Sequence, residues 1–139
     1  MLIVIDVNVI ISSLLSKGDS FKVFALNDIV NKFKFVAPEF LLIELEKHKQ
    51  EIFKRSKLSK QEFDEILEFV IEQITFISKS QFTDYLIKAK EILSKHQKDV
   101  QYLALALKLD CSIFSGDKIF KQLSPKKVLS PKEMLNMFY

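Results

Sequence analysis

Five short apolar runs constrain this chain more than any other feature: Leu2 to Ile5, Phe35 to Ala37, Ile74 to Ser78, Cys111 to Ser115 and Lys127 to Leu129. They are β-branched or aromatic and nearly uniform, without the alternation of a half-exposed strand. That is the pattern of parallel strands covered on both faces. The stretches between them have helical spacing. Val23, Leu26, Val30 and Phe33 recur at steps of three and four, and a further helix is predicted from Pro38 to about Arg55. Ser59 and Glu62 have the capping-box spacing ahead of Phe63, Ile66, Leu67 and Val70. Tyr85, Leu86, Ala89, Ile92 and Leu93 mark another apolar stripe, and Val100, Leu103, Ala104 and Leu107 the next. Ser130-Pro131-Lys132-Glu133 opens a C-terminal helix.

Strands separated by helices imply right-handed crossovers and a sheet covered on both sides. The expected class is α/β, a three-layer α/β/α sandwich with a mostly parallel sheet of about five strands. The 139 residues suit a single domain, 1–139, without a linker or repeat. In open sheets of this kind ligands bind beyond the carboxyl ends of the strands, so chemistry is sought there.

Composition removes several alternatives. Hydrophobic residues make up 48% of the chain, enough for a core, which excludes a disordered polymer. The single Cys111 excludes an internal disulfide and a Cys-only zinc site, and His48 and His96 match no zinc spacing. The longest charge-free stretch runs from Val7 to Ser16, too short to span a bilayer, and the opening apolar run contains Asp6 and lacks a basic leader. The expectation is a cytoplasmic protein with no membrane partner. The net charge of +3 permits a nucleic-acid partner without requiring one.

Four carboxylates stand out. Asp6 ends the first strand, where a charge among Ile5 and Val7 needs a partner or serves as a helix N-cap. Asp117, in Ser115-Gly116-Asp117, follows the fourth strand in the same way and could equally be a turn or cap residue. Asp99 opens the helix of Val100 to Leu107, where the helix dipole alone would favour it. Glu44 lies in an apolar stretch, with Glu39, Glu46 and Glu51 as rivals. An oxygen-only donor set points to Mg²⁺ or Mn²⁺ rather than zinc. Such ions serve phosphate chemistry by activating water and neutralising phosphoryl oxygens. Lys17, near the first strand in the chain, and Lys118 and Lys121, beyond the fourth, are placed to meet a phosphate. The basic run from Lys47 to Lys60 could track a phosphate backbone or be a solvated face. Cys111 reads as a core residue, His96 as a packed continuation of the Tyr85, Ala89 and Leu93 stripe, and His48 as solvated. Neither a G-x-S-x-G elbow nor a glycine-rich phosphate loop is present.

Together these residues resemble the PIN domain, a family of metal-dependent ribonucleases that includes VapC-type toxins. The resemblance is carried by LIVIDVNVI at Leu2 to Ile10, PEFLLIEL at Pro38 to Leu45, DVQYLALAL at Asp99 to Leu107 and IFSGD at Ile113 to Asp117. It covers essentially the whole chain. It implies that Asp6, Glu44, Asp99 and Asp117 line a metal site. Asn8 would support the first carboxylate, and Ser115 would contact phosphate or water. Asp6 and Asp99 would be the main ligands, with Glu44 and Asp117 bound directly or through water. The implied activity is hydrolysis of RNA phosphodiesters, with RNA as substrate, an antitoxin protein as partner and a homodimer as the assembly. One departure is Ile119, where many members carry a further acid, which weakens the case for a second metal.

Other carboxylate enzymes fit less well. A haloacid-dehalogenase phosphatase usually has an acid two residues after its nucleophile, where Asn8 stands. A receiver domain needs a phosphoacceptor Asp after the third strand, which ends here at Ser78-Lys79. The alternative from another class is a non-catalytic RNA- or protein-binding module on the same fold.

Overall fold

The computed structural model describes all 139 residues. Its strands are β1 (Leu2–Ile5), β2 (Lys34–Pro38), β3 (Ile74–Ile77), β4 (Ser112–Phe114) and β5 (Val128–Leu129). They form one sheet in the order β3-β2-β1-β4-β5, with every neighbouring pair parallel. The helices are α1 (Val7–Leu15), α2 (Asp19–Val30), α3 (Phe40–Ser56), α4 (Lys60–Ile71), α5 (Leu86–Leu93), α6 (Val100–Leu109), α7 (Lys118–Leu123) and α8 (Pro131–Asn136). The chain steps outward from β1 to β2 and β3, then returns to place β4 on the other side of β1. The strand order therefore reverses between β1 and β4, the position where open α/β sheets form a crevice.

The uniformly apolar strands bury both faces. Ile3 is registered with Phe35, and Ile5 with Phe114, so these four side chains share one face. Phe24 of α2 covers that face, its ring 5.3 Å from Phe35 and 5.9 Å from Phe114. Val4, Val36 and Ile113 point the other way. There α6 packs on β1, β2 and β4, with Leu103, Ala104, Leu105 and Ala106 fully buried. Such burial of a short helix requires the small and apolar residues it contains.

The capping boxes predicted at Ser59–Glu62 and Ser130–Glu133 both form, at the starts of α4 and α8. Two boundaries differ from expectation. Phe33 continues the spacing of α2 but lies outside it, because Asn31 turns left-handed at φ 55° and ends the helix. Phe33 still packs in the core, stacked 6.0 Å from Phe35. Pro38 does not open α3. It is the last residue of β2, in register with Ile77, and Glu39 precedes the helix.

Phe24 joins the helical layer to two strands, so Phe24→Ala should destabilise the fold by about 3–5 kcal/mol. Urea unfolding of the two proteins, with the midpoint shift read at constant slope, checks this.

Candidate active site

The crevice between β1 and β4 holds the acidic residues. Asp6 follows Ile5 in extended backbone, which turns its side chain to the same side as Val4, toward α6. Ser115 follows Phe114 in the same sense. The two meet as neighbours across the strand ends, where Ser115 Oγ donates to Asp6 Oδ2 at 2.7 Å. Asn8 supplies the other support. Its backbone N–H donates to Asp6 Oδ1 at 3.3 Å, and its Nδ2 donates to Asp6 Oδ2 at 3.1 Å. Asn8 Oδ1 accepts from the Gly116 N–H at 3.3 Å, and Ser115 Oγ accepts from the Asp117 N–H at 3.1 Å. This net ties the start of α1 to the turn after β4. Ser115 is buried and engaged with Asp6, so its hydroxyl supports that carboxylate.

Asp117 caps α7. Its Oδ1 accepts from the backbone N–H groups of Ile119 and Phe120, at 2.9 and 3.1 Å. Its Oδ2 faces two nitrogens, His96 Nε2 and Lys98 Nζ, each at 3.1 Å. Asp99 precedes α6 and is only 3% exposed. Its Oδ2 lies 2.7 Å from His96 Nε2 without hydrogen-bond alignment, and that buried oxygen has no hydrogen-bond partner. The donor atoms of His96, Asp99 and Asp117 all fall within 4.8 Å of one another. Glu44 is the outer member of the set. It accepts a hydrogen bond at Oε1 from the hydroxyl of the buried Tyr102 on α6, and its charge reaches Asp6.

The electrostatics follow from burial. Asp6 is pushed up to about 6, chiefly by loss of water, against the hydrogen bonds from Ser115 and Asn8. Asp99 is raised to about 7 by burial and by the charges of Asp6 and Asp117. Burial also lifts Glu44, although the Tyr102 hydrogen bond opposes it. Asp117 goes the other way, to about 2. Burial raises it, but the Phe120 N–H and the Lys98 ammonium outweigh that effect.

The three expected lysines fall in different places. Lys17 lies beyond the far end of α1, about 14 Å along the helix from Asp6, and its charge is felt by Glu62. It stands at the opposite end of α1 from the crevice. Lys118 and Lys121 line a shallow cavity beside Asp117, with Lys121 paired to Glu133. Lys98, which no motif in the sequence marks, reaches the site directly. It lines a cavity of about 440 Å³ with Asn8, Ser12, Ser20, Gly116 and Asp117. His96 departs from the packed position its spacing predicts. Helix α5 ends at Leu93, Ser94 turns to φ 52°, and the imidazole turns into the carboxylates instead of continuing the stripe. The signal that could have flagged both residues is their spacing: His96 and Lys98 fall within three residues of Asp99, just before a helix. The basic run from Lys47 to Lys60 borders a groove of about 580 Å³ between α3 and α4, where Lys47, Lys49 and Lys54 surround Phe53.

The family model described as PIN domain matches residues 4–127. The chain belongs to the PIN domain family. Among solved structures it is similar to a chain of VapBC2 from Rickettsia felis, in a crystal structure bound to a DNA fragment from their promoter. The TM-score is 0.70 at 12% identity, over 94% of this chain and 98% of that one. No curated protein matches. No helix is long and apolar enough to cross a membrane.

The raised carboxylates fix a pH dependence for the metal-free protein. A folded-state value above the ordinary 3.8 means that the folded chain holds protons more tightly than the unfolded one. The stability contributed by Asp6 and Asp99 is therefore complete below about pH 4 and lost as the pH rises through about 6 and 7. Asp117 has the opposite sign, and its contribution is lost as the pH falls toward 2. Melting temperatures in EDTA should decline from pH 4 to pH 7.5, and the Asp6→Asn, Asp99→Asn double variant should flatten that decline.

Proposed function

We propose that this chain is a Mg²⁺- or Mn²⁺-dependent endoribonuclease whose site is formed by Asp6, Glu44, Asp99 and Asp117. The observation that carries the reading is the Asp99 carboxylate. It is buried beside two other acids, and its Oδ2, with no hydrogen-bond partner, has only the unaligned His96 nitrogen beside it, an arrangement that costs stability unless a cation joins it. The donor set fits such an ion, since carboxylate oxygens dominate it. A bound divalent cation would lower the pKa of a water and neutralise charge on the phosphoryl oxygens.

The protein residues have separable tasks. Asp6 and Asp99 would be the principal ligands, with Glu44 and Asp117 binding directly or through water. Asn8 and Ser115 hold Asp6 in one orientation. Tyr102 holds Glu44. Lys98, mostly exposed and one short ion pair from the cluster, would neutralise a phosphate entering the cavity beside Asn8 and Gly116. The groove of Lys47, Lys49 and Lys54 starts next to Glu44 in the chain and would carry the strand away from the cut. The family membership and the fold shared with a VapBC2 chain support a toxin role with an antitoxin protein as partner, and a second copy of the chain belongs to the same reading as a proposed partner. The whole reading places the reaction in the cytoplasm.

Asp99→Asn keeps size and removes ligand charge. Cleavage of a panel of tRNA, rRNA fragments and unstructured RNA should fall by a factor of about 1,000 or more, as several kcal/mol of lost charge stabilisation requires. The fold should persist, and in EDTA the variant should melt no lower than wild type, because a repelled buried charge is gone. Wild-type cleavage should stop in EDTA and return with Mn²⁺. Equal cleavage by both proteins would refute the assignment. Cleavage by neither, together with no Mn²⁺ binding, would favour the non-catalytic module.

A further inference from the structure

Resting on that reading, the geometry points to His96 as a nitrogen ligand of the cation, which makes the site a mixed nitrogen–oxygen site that prefers Mn²⁺ to Mg²⁺. Nothing in the order of the acids along the chain predicts this. Three observations carry it. Nε2 lies 2.7 Å from Asp99 Oδ2 and 3.1 Å from Asp117 Oδ2, so it borders both carboxylates at one point. The donor atoms of the three residues fall within 4.8 Å of one another, close enough for one ion to touch all three. Asp99 Oδ2, the buried oxygen without a hydrogen-bond partner, faces this point.

The backbone brings the imidazole there. Ser94 holds φ 52° and ψ −109°, which a residue with a side chain adopts only under constraint, and the His96 N–H donates to Leu93 O at 2.8 Å. The turn reverses the chain directly after α5 and delivers His96 to the mouth of α6. Lys98, on the same turn, pairs with Asp117 but carries no lone pair when charged, so it can balance charge and cannot ligate. In the ion-free protein Nε2 is within hydrogen-bond distance of Asp117 Oδ2, so an ion entering there would take the place of the Nε2 proton shared with the carboxylates, and the imidazole would then offer its Nε2 lone pair with the proton on Nδ1.

The consequence is selectivity. Mg²⁺ is hard, holds its water and oxygen ligands tightly and gains little from an imidazole nitrogen, whereas Mn²⁺, a first-row ion that still favours oxygen donors, accepts one nitrogen beside carboxylates. One nitrogen among carboxylates shifts the balance toward Mn²⁺ without creating a thiolate-type zinc site.

The test uses the untagged full chain loaded with Mn²⁺ and electron spin-echo spectroscopy, which detects a nitrogen bonded to the ion. The wild type should show a directly coupled ¹⁴N, replaced by the ¹⁵N pattern after selective labelling of histidine. His96→Gln should lose the signal and His48→Gln should keep it. These are the only two histidines, so the pair assigns the nitrogen. Calorimetric titration with each ion should show Mn²⁺ affinity lowered about tenfold or more in His96→Gln, with a smaller change for Mg²⁺. Mn²⁺ bound without nitrogen coupling in the wild type, or with unchanged coupling in His96→Gln, would overturn the role of His96 and leave the nuclease reading intact. Failure of the wild type to bind Mn²⁺ at all would overturn both.

Discussion

A carboxylate cannot end a buried apolar strand without compensation, and the molecule is arranged around that constraint at Asp6. The side chain is 2% exposed, next to three fully buried strand residues. It is stabilised by the Ser115 hydroxyl, the Asn8 amide and the Asn8 N–H, which belong to segments more than a hundred residues apart in sequence. The bonds therefore do two things. They offset part of the desolvation of Asp6, and they fix how the turn after β4 sits against the start of α1. Loss of Ser115 or Asn8 would loosen the crevice as well as the charge.

Three helices begin at this crevice, each with an aspartate at its start: Asp6 before α1, Asp99 before α6 and Asp117 before α7. The partial positive charge at each helix start favours a carboxylate there, which lets the acids share a small space. They use the position differently. Asp6 and Asp117 accept backbone N–H bonds from their own helices, whereas Asp99 makes none. Capping is thus a structural duty for two of the acids and not for the third. Asp99 therefore has no backbone partner to offset its burial, and burial together with the charges of Asp6 and Asp117 raises it.

Much of this was legible in the residues because the strands and caps are locally encoded. Leu2 to Ile5 carries its own apolar signal, and Ser59–Glu62 and Ser130–Glu133 their own capping geometry. Strand-end positions likewise placed Asp6 and Asp117 at the crevice. What escaped depends on where the chain turns. Phe33 kept helical spacing after the helix had ended at Asn31, since periodicity continues in residues that pack into the same core. His96 was lost for the same reason at Ser94, where a positive φ in a non-glycine residue leaves no mark in the sequence. Lys17 illustrates the reverse error: closeness in sequence to Asp6 becomes distance along a helix. Glu44 could be ranked above Glu39, Glu46 and Glu51 only mildly, because its distinction lies in the Tyr102 hydroxyl it meets in space.

The position of β1 between β2 and β4 sets when the crevice can exist during folding. Its pairing with β2 closes a loop of about thirty residues, whereas the contact of Ser115 with Asp6 spans 109. Closing so long a loop is the slow, entropically unfavourable part of assembly. Until β4 docks, Asp6 stands on an open strand edge with one support missing, and Asp117 has not arrived. The acidic cluster is thus incomplete until the last strands dock, a late product of topology.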